Sequence, residues 1–146
     1  MTVPAGRPVH LSTLHGPAEW RAYRHAPLAP RAGPATLRAA WWAHKALRAA
    51  RRRLPVDGLS TVVTPPPPLP SGARRGVQAV LRRTAPTCLE RSLVLQAWLA
   101  AHGVPCEVVI GVARDDDGVR AHAWLDIEGG DVLARQYREI HRLAPR

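Results

Sequence analysis

The stretch from Cys88 to His102 sets the strongest limit on what this chain can become. Leu89, Leu93, Val94, Ala97, Trp98 and Ala100 cover most of the circumference of a helix drawn through it. A helix apolar nearly all round must be buried, so the remaining elements have to wrap around it. Its start is marked. Thr87, with Glu90 three residues on, is a capping-box pattern: each side chain accepts a hydrogen bond from the other residue's backbone N–H. Pro86 disfavours a helix running in from upstream, while Gly103, with Pro105 beyond it, suits the stop. Cys88 then falls on the first helical position, where unpaired N–H groups and the positive end of the helix dipole favour an anion. The thiolate, an anion, is the nucleophilic form of cysteine.

The elements available to cover this helix follow from the pattern on either side. Residues 1–17 show no periodicity. Ala18–Ala26 reads as a short helix through Trp20 and Tyr23, ended by Pro27. Pro34 opens a long basic helix, Ala35–Arg53, with Leu37, Ala40, Trp41, Ala43, Leu47, Ala50 and Leu54 expected to face inward. Its tryptophans are expected in the core. Pro55 and Asp57-Gly58 should turn the chain back. Pro65 to Pro68 and Pro70 form a stiff polyproline spacer. A third helix is expected over Ala73–Arg83, with Val77, Val80 and Leu81 inward.

Beyond the central helix the period changes. Cys106–Ala113 is apolar and β-rich, as an inner strand would be. Asp115-Asp116-Asp117-Gly118 is a hairpin turn. Val119–Ile127 alternates, which puts His122 and Trp124 on the face opposite Ala123 and Leu125. Glu128-Gly129-Gly130 is a second turn, leading to a third strand over Val132–Arg138. Helices followed by an antiparallel meander make an α+β fold, with N-terminal helices and a buried central helix carrying Cys88 packed on a small antiparallel sheet. The organisation reads as a helical N-terminal segment (1–60), a Pro-rich linker (61–72) and a core (73–146).

Composition narrows the function classes. At 146 residues and 46% hydrophobic, the chain is the size and character of one globular domain. The net charge of +10 is almost all arginine, yet no arginine cluster is interleaved with aromatics as an RNA-binding sheet requires. Nucleic acid is therefore not the expected partner. The first thirty residues hold no apolar core of a secretory signal, and Leu93–Ala101, interrupted by Gln96, is far too short to span a membrane. A cytoplasmic location is the expectation. Two cysteines make no disulfide framework. Cys88, Cys106, His102 and His122 match no compact zinc spacing, so neither a metal nor another cofactor is expected.

A cysteine at a helix start and a later histidine on a strand follow the logic of thiol catalysis. Such a histidine needs a third group to hold its ring. Asp126 shares its face, but four residues along a strand is about 13 Å, out of reach. If the loop Glu128 to Gly130 pairs Ile127 with Asp131, and Leu133 and Tyr137 share the face of Leu125, then Gln136 stands opposite His122. Gln136 is thus the expected third member, with Asp131 as the fallback.

Three segments together carry a more specific signal: Thr87-Cys88-Leu89-Glu90-Arg91-Ser92-Leu93, then Gly103-Val104-Pro105 with Val109-Ile110-Gly111-Val112, then Ala121-His122-Ala123-Trp124-Leu125. Across roughly residues 72 to 143 the chain resembles the lasso-peptide maturation B2 proteins, of the transglutaminase-like/papain-like cysteine protease superfamily. The resemblance implies a leader peptidase that cuts a ribosomally made precursor peptide. Cys88 matches the family nucleophile and His122 its base; the backbone N–H of Cys88 would help hold the oxyanion. The family usually places an Asp on the strand after the His, where this chain reads Val132-Leu133-Ala134-Arg135-Gln136. The resemblance also implies partners: a separate leader-binding protein and an ATP-dependent macrolactam cyclase. Two readings of the same fold stand beside it, a non-catalytic escort of the precursor and an acyltransferase that resolves the thioester with an amine.

Overall fold

The computed structural model describes residues 16–128 and 135–146. Four helices come first: α1 (Gly16–His25), α2 (Pro34–Asp57), α3 (Arg74–Thr84) and α4 (Cys88–Ala100). Three strands follow: β1 (Val108–Asp115), β2 (Gly118–Leu125) and β3 (Arg138–Leu143). The expected α+β architecture is present, with the helices packed on a small antiparallel sheet.

α4 occupies the centre. Glu90, Ser92, Leu93, Val94, Gln96, Trp98 and Leu99 are buried along it. One apolar cluster joins Leu93, Val94 and Trp98 to Ala43 and Leu47 of α2, Val77 and Leu81 of α3, and Val108, Leu125 and Leu143 of the sheet. The helix ends at Ala100, two residues before the expected His102. Gly103 then takes φ 73° and the Val104 N–H reaches back to the Leu99 carbonyl (3.0 Å), the left-handed turn that a glycine allows. Gln96, buried in α4, donates to the carbonyls of Cys106 (2.9 Å) and Leu143 (2.8 Å), tying the helix to the chain entering β1 and to the end of β3.

α2 runs four residues past the expected end. Pro55 lies in its last turn, and Gly58 closes it by donating to the Leu54 carbonyl. The buried face is also rotated from the expected one: Thr36, Ala39, Trp42, Ala43, Ala46, Leu47 and Ala50 face inward. Leu37 and Trp41 are 59% and 66% exposed. Trp42 wins the interior because its indole N–H finds the Thr64 carbonyl (3.0 Å) and its ring packs on Trp98 (5.7 Å between centroids), which satisfies the polar edge of a buried tryptophan. α3 lies close against α2. A Cβ on Gly76 would overlap the Thr36 carbonyl oxygen and sit 2.9 Å from the Ala40 nitrogen. Arg74, buried, fastens α1 by donating to the carbonyls of Arg24 (3.1 Å) and Ala26 (2.7 Å).

The sheet order is β2-β1-β3. β1 is the inner strand expected, and the Asp115–Gly118 hairpin pairs Val108 with Leu125 and Gly111 with His122. The third strand departs from expectation in both place and partner. It begins at Arg138 rather than Val132 and pairs with β1, Val108 opposite Leu143. Arg142 explains the choice, because its guanidinium reaches Glu107 (3.0 Å) and Asp126 (3.8 Å) at the start of β1 and the end of β2. Gln136 therefore does not stand opposite His122; it is exposed, on helical backbone just before β3.

Candidate active site

The tip of α4 is built from a hydrogen-bonded box and a clamp. Thr87 has extended backbone (φ −62°, ψ 160°), and its side chain accepts from the Glu90 N–H (3.3 Å). Glu90 Oε2 accepts in turn from the Thr87 N–H (2.9 Å). The same oxygen accepts from Arg51 Nε of α2 (3.2 Å), and a second nitrogen of that guanidinium donates to the Thr84 carbonyl (3.0 Å). Arg51 thus joins the end of α3 to the start of α4 across the short turn at Ala85, whose left-handed φ of 43° lets the chain reverse. This fixes the backbone on which Cys88 sits. With the Glu90 N–H taken by Thr87, the N–H groups of Cys88 and Leu89, which have no intrahelical acceptor, are the donors that the tip offers beside the half-buried Cys88 sulfur.

Cys106 contrasts with it. This thiol is buried at the entrance to β1, and burial pushes its pKa up to about 12, helped by the carboxylates of Asp126 and Glu128. It stays protonated and inert at neutral pH, as a packing residue does.

His122 is half-buried on β2, at the edge of the described sheet. Its ring stacks on Trp124 (6.0 Å, 19°) and meets Tyr137 (5.3 Å). Gly111 lies opposite on β1, and a Cβ there would come within 2.8 Å of the Trp124 ring and 2.9 Å of Tyr137 Cβ. The missing side chain is what lets the aromatic cluster close over the sheet. Tyr137 therefore lies on the face of His122 and Trp124, not on that of Leu125. It is the site residue that sequence reasoning missed, although it is the single aromatic in the chain after Trp124.

Strand alternation separates the two candidate groups by face. Ala123 and Leu125 turn into the core cluster on which α4 packs, and His122 turns to the other side. Cys88 and His122 share no hydrogen bond, and neither ring nitrogen of His122 is bonded to a described residue. Asp131 lies outside the described residues. Asp126, at the end of β2, accepts from the Glu107 N–H (3.1 Å). Burial raises its pKa above the usual carboxylate value, with Glu107 adding repulsion; the backbone hydrogen bond and Arg142 oppose the rise. Among the described residues no group of three or more His, Cys, Asp or Glu is arranged to hold a metal. Both nitrogens of His102 are engaged by carbonyl oxygens, those of Trp98 (2.7 Å) and Leu69 (2.9 Å). No described helix is long and apolar enough to cross a membrane.

Neither the curated proteins nor the solved structures contain a match to this chain. A family model does match, over residues 9–144, almost the whole length and every element described above. A buried helix entered at a cysteine, a small antiparallel sheet and a histidine on its second strand accord with that match: the chain belongs to the transglutaminase-like superfamily.

Proposed function

We propose that the chain is a cysteine peptidase that removes the leader from a ribosomally made lasso-peptide precursor. The observation that carries this reading is the placement of Cys88 on the first turn of α4, fixed by the Thr87–Glu90 box in a transglutaminase-like chain. The thiolate attacks the scissile carbonyl at the leader–core junction, and N–H groups of the helix tip, that of Cys88 included, hold the oxyanion. His122 takes the thiol proton and returns it to the departing amine. Water then cleaves the thioester, releasing the leader as a carboxylate and restoring the thiol. His122 leaves the sheet on the face that Ala123 and Leu125 do not share, and it makes no hydrogen bond with Cys88. The reading therefore requires the thiol and the imidazole to meet when peptide is bound. The third member stays open between Gln136, exposed just before β3, and the fallback Asp131, which lies outside the described residues. A leader-binding protein and an ATP-dependent cyclase are the proposed partners.

The test is mass spectrometry of precursor incubated with the chain and a leader-binding partner. Wild type releases leader and core; Cys88→Ala and His122→Ala release neither, with folds intact by circular dichroism. A product heavier by a bound amine would assign acyl transfer instead. One observation favours a different reading, a precursor escort without catalysis: the His122 ring has no hydrogen-bond partner among the described residues. Release of leader by Cys88→Ala, or precursor binding without cleavage by wild type, would remove the peptidase reading.

A further inference from the structure

Charge is distributed unevenly along the chain. Residues 26–87 hold eleven of the 21 Lys and Arg but one of the 11 acidic residues, Asp57, so they carry the whole net charge of +10. The remainder is balanced. α2 gathers part of this charge into one line: Leu37, Trp41, Lys45, Arg48 and Arg52 recur at spacings of four, four, three and four, a single stripe on a helix. All five are exposed. Neither Lys45, Arg48 nor Arg52 forms an ion pair with a described residue. The stripe forms the floor of an open groove of about 890 Å³, walled on one side by the extended segment at Thr64 and Pro67, and no Asp or Glu among the described residues lines it.

We infer that this groove, whose lining does not include Cys88, docks an acidic peptide segment bearing apolar anchor side chains. The stripe is graded, with Leu37 and Trp41 at one end and three cations without an ion pair among the described residues towards the other. Tryptophan and arginine are the residues that most often anchor protein interfaces. A nucleic acid backbone asks for cations along its whole track and gains nothing from an exposed leucine. The length from Leu37 to Arg52 is about 22 Å, four helical turns, enough for a short amphipathic helix laid along α2. Unsatisfied positive charge would speed its capture and make binding salt-dependent.

The probe is a fluorescein-labelled 20-residue peptide of Glu and Leu, with Leu at i and i+4 spacing, titrated with the full chain by fluorescence anisotropy. Trp41→Ala should weaken binding about tenfold, as loss of a central aromatic anchor does. Arg48→Glu with Arg52→Glu should weaken it further and flatten the salt dependence. A control peptide with Ser replacing Leu should bind at least tenfold more weakly than the probe. Because Trp41 is 66% exposed, its variant should keep the wild-type urea midpoint; Leu37→Ser supplies a second variant on the same rim. The inference fails if these variants bind the probe as wild type does. It also fails if the Ser peptide, single-stranded oligonucleotides or anionic vesicles bind as tightly with the same variant sensitivity. None of these readouts depends on cleavage, so a failure here leaves the peptidase proposal standing.

Discussion

Removing the Glu90 side chain should cost more than an ordinary helix cap. Glu90 is 9% exposed, and one of its oxygens serves two donors, the Thr87 N–H at 2.9 Å and Arg51 Nε at 3.2 Å. Glu90→Ala leaves the backbone donor unsatisfied, at roughly 1–3 kcal/mol, and strands the guanidinium. Breaking a fully buried pair costs about 3–5 kcal/mol, but the Arg51 side chain is 40% exposed and water recovers much of that. A total of roughly 2–3 kcal/mol follows. Glu90→Gln keeps the shape and one acceptor while losing the charge, so about 1 kcal/mol is expected. Thr87→Ala removes the reciprocal bond for about 1 kcal/mol. The box acts as a unit, so the Thr87→Ala/Glu90→Ala double variant should lose less than the sum of the singles. Urea unfolding followed by far-UV circular dichroism measures all four. A Glu90→Ala loss below about 0.5 kcal/mol, or strict additivity, would refute the view that this box and its Arg51 clamp hold the tip of α4.

Three further perturbations probe the surroundings. Ala85 holds a left-handed φ of 43°, a conformation that costs a non-glycine residue about 1–2 kcal/mol. Ala85→Gly should therefore leave the urea midpoint unchanged or raise it, against the usual loss on inserting glycine, while Ala85→Val should lower it. Gly111→Ala forces a methyl against the Trp124 ring and the Tyr137 Cβ; near-UV circular dichroism should show the aromatic cluster disturbed, with stability reduced by roughly 1–3 kcal/mol. The Cys106 thiol, held up to about 12 by burial from an ordinary 9.0, keeps in the folded chain a proton that the unfolded chain releases. Its contribution to stability is whole below pH 9 and falls as pH rises towards 12, by at most about 1.4 kcal/mol per pH unit. The stability gap between wild type and Cys106→Ala should accordingly narrow between pH 8 and 10.5; a constant gap would contradict the assignment.

What was legible in the sequence was local. The Thr87–Glu90 box, the left-handed Gly103, the Asp115–Gly118 hairpin and the burial of α4 each depend on residues within a turn or two of one another. The rotated face of α2 was not legible. Trp41 and Trp42 are adjacent and equally apolar, and the hydrogen bond that draws Trp42 inward is donated to the carbonyl of Thr64, 22 residues away. The role of Arg51 was not legible either, because its partners Thr84 and Glu90 lie 33 and 39 residues on. The third strand failed for the same reason. Its register is set by Arg142 reaching Glu107 and Asp126, which turn chemistry at Gly129-Gly130 cannot reveal. Once β3 moved to the far edge of β1, the geometry that placed Gln136 against His122 disappeared with it, and Tyr137 took the position beside the ring.

The central claim is that Cys88 is the group that accepts an acyl chain. It can be tested without knowing the natural substrate, by mixing the chain with p-nitrophenyl acetate, quenching in acid and locating the acetyl group by peptide mass spectrometry. Acetyl should accumulate on Cys88 ahead of Cys106, be absent from Cys88→Ala, and form more slowly in His122→Ala. Labelling of Cys106 at an equal rate, or acetylation of Cys88 that His122→Ala leaves unchanged, would contradict it.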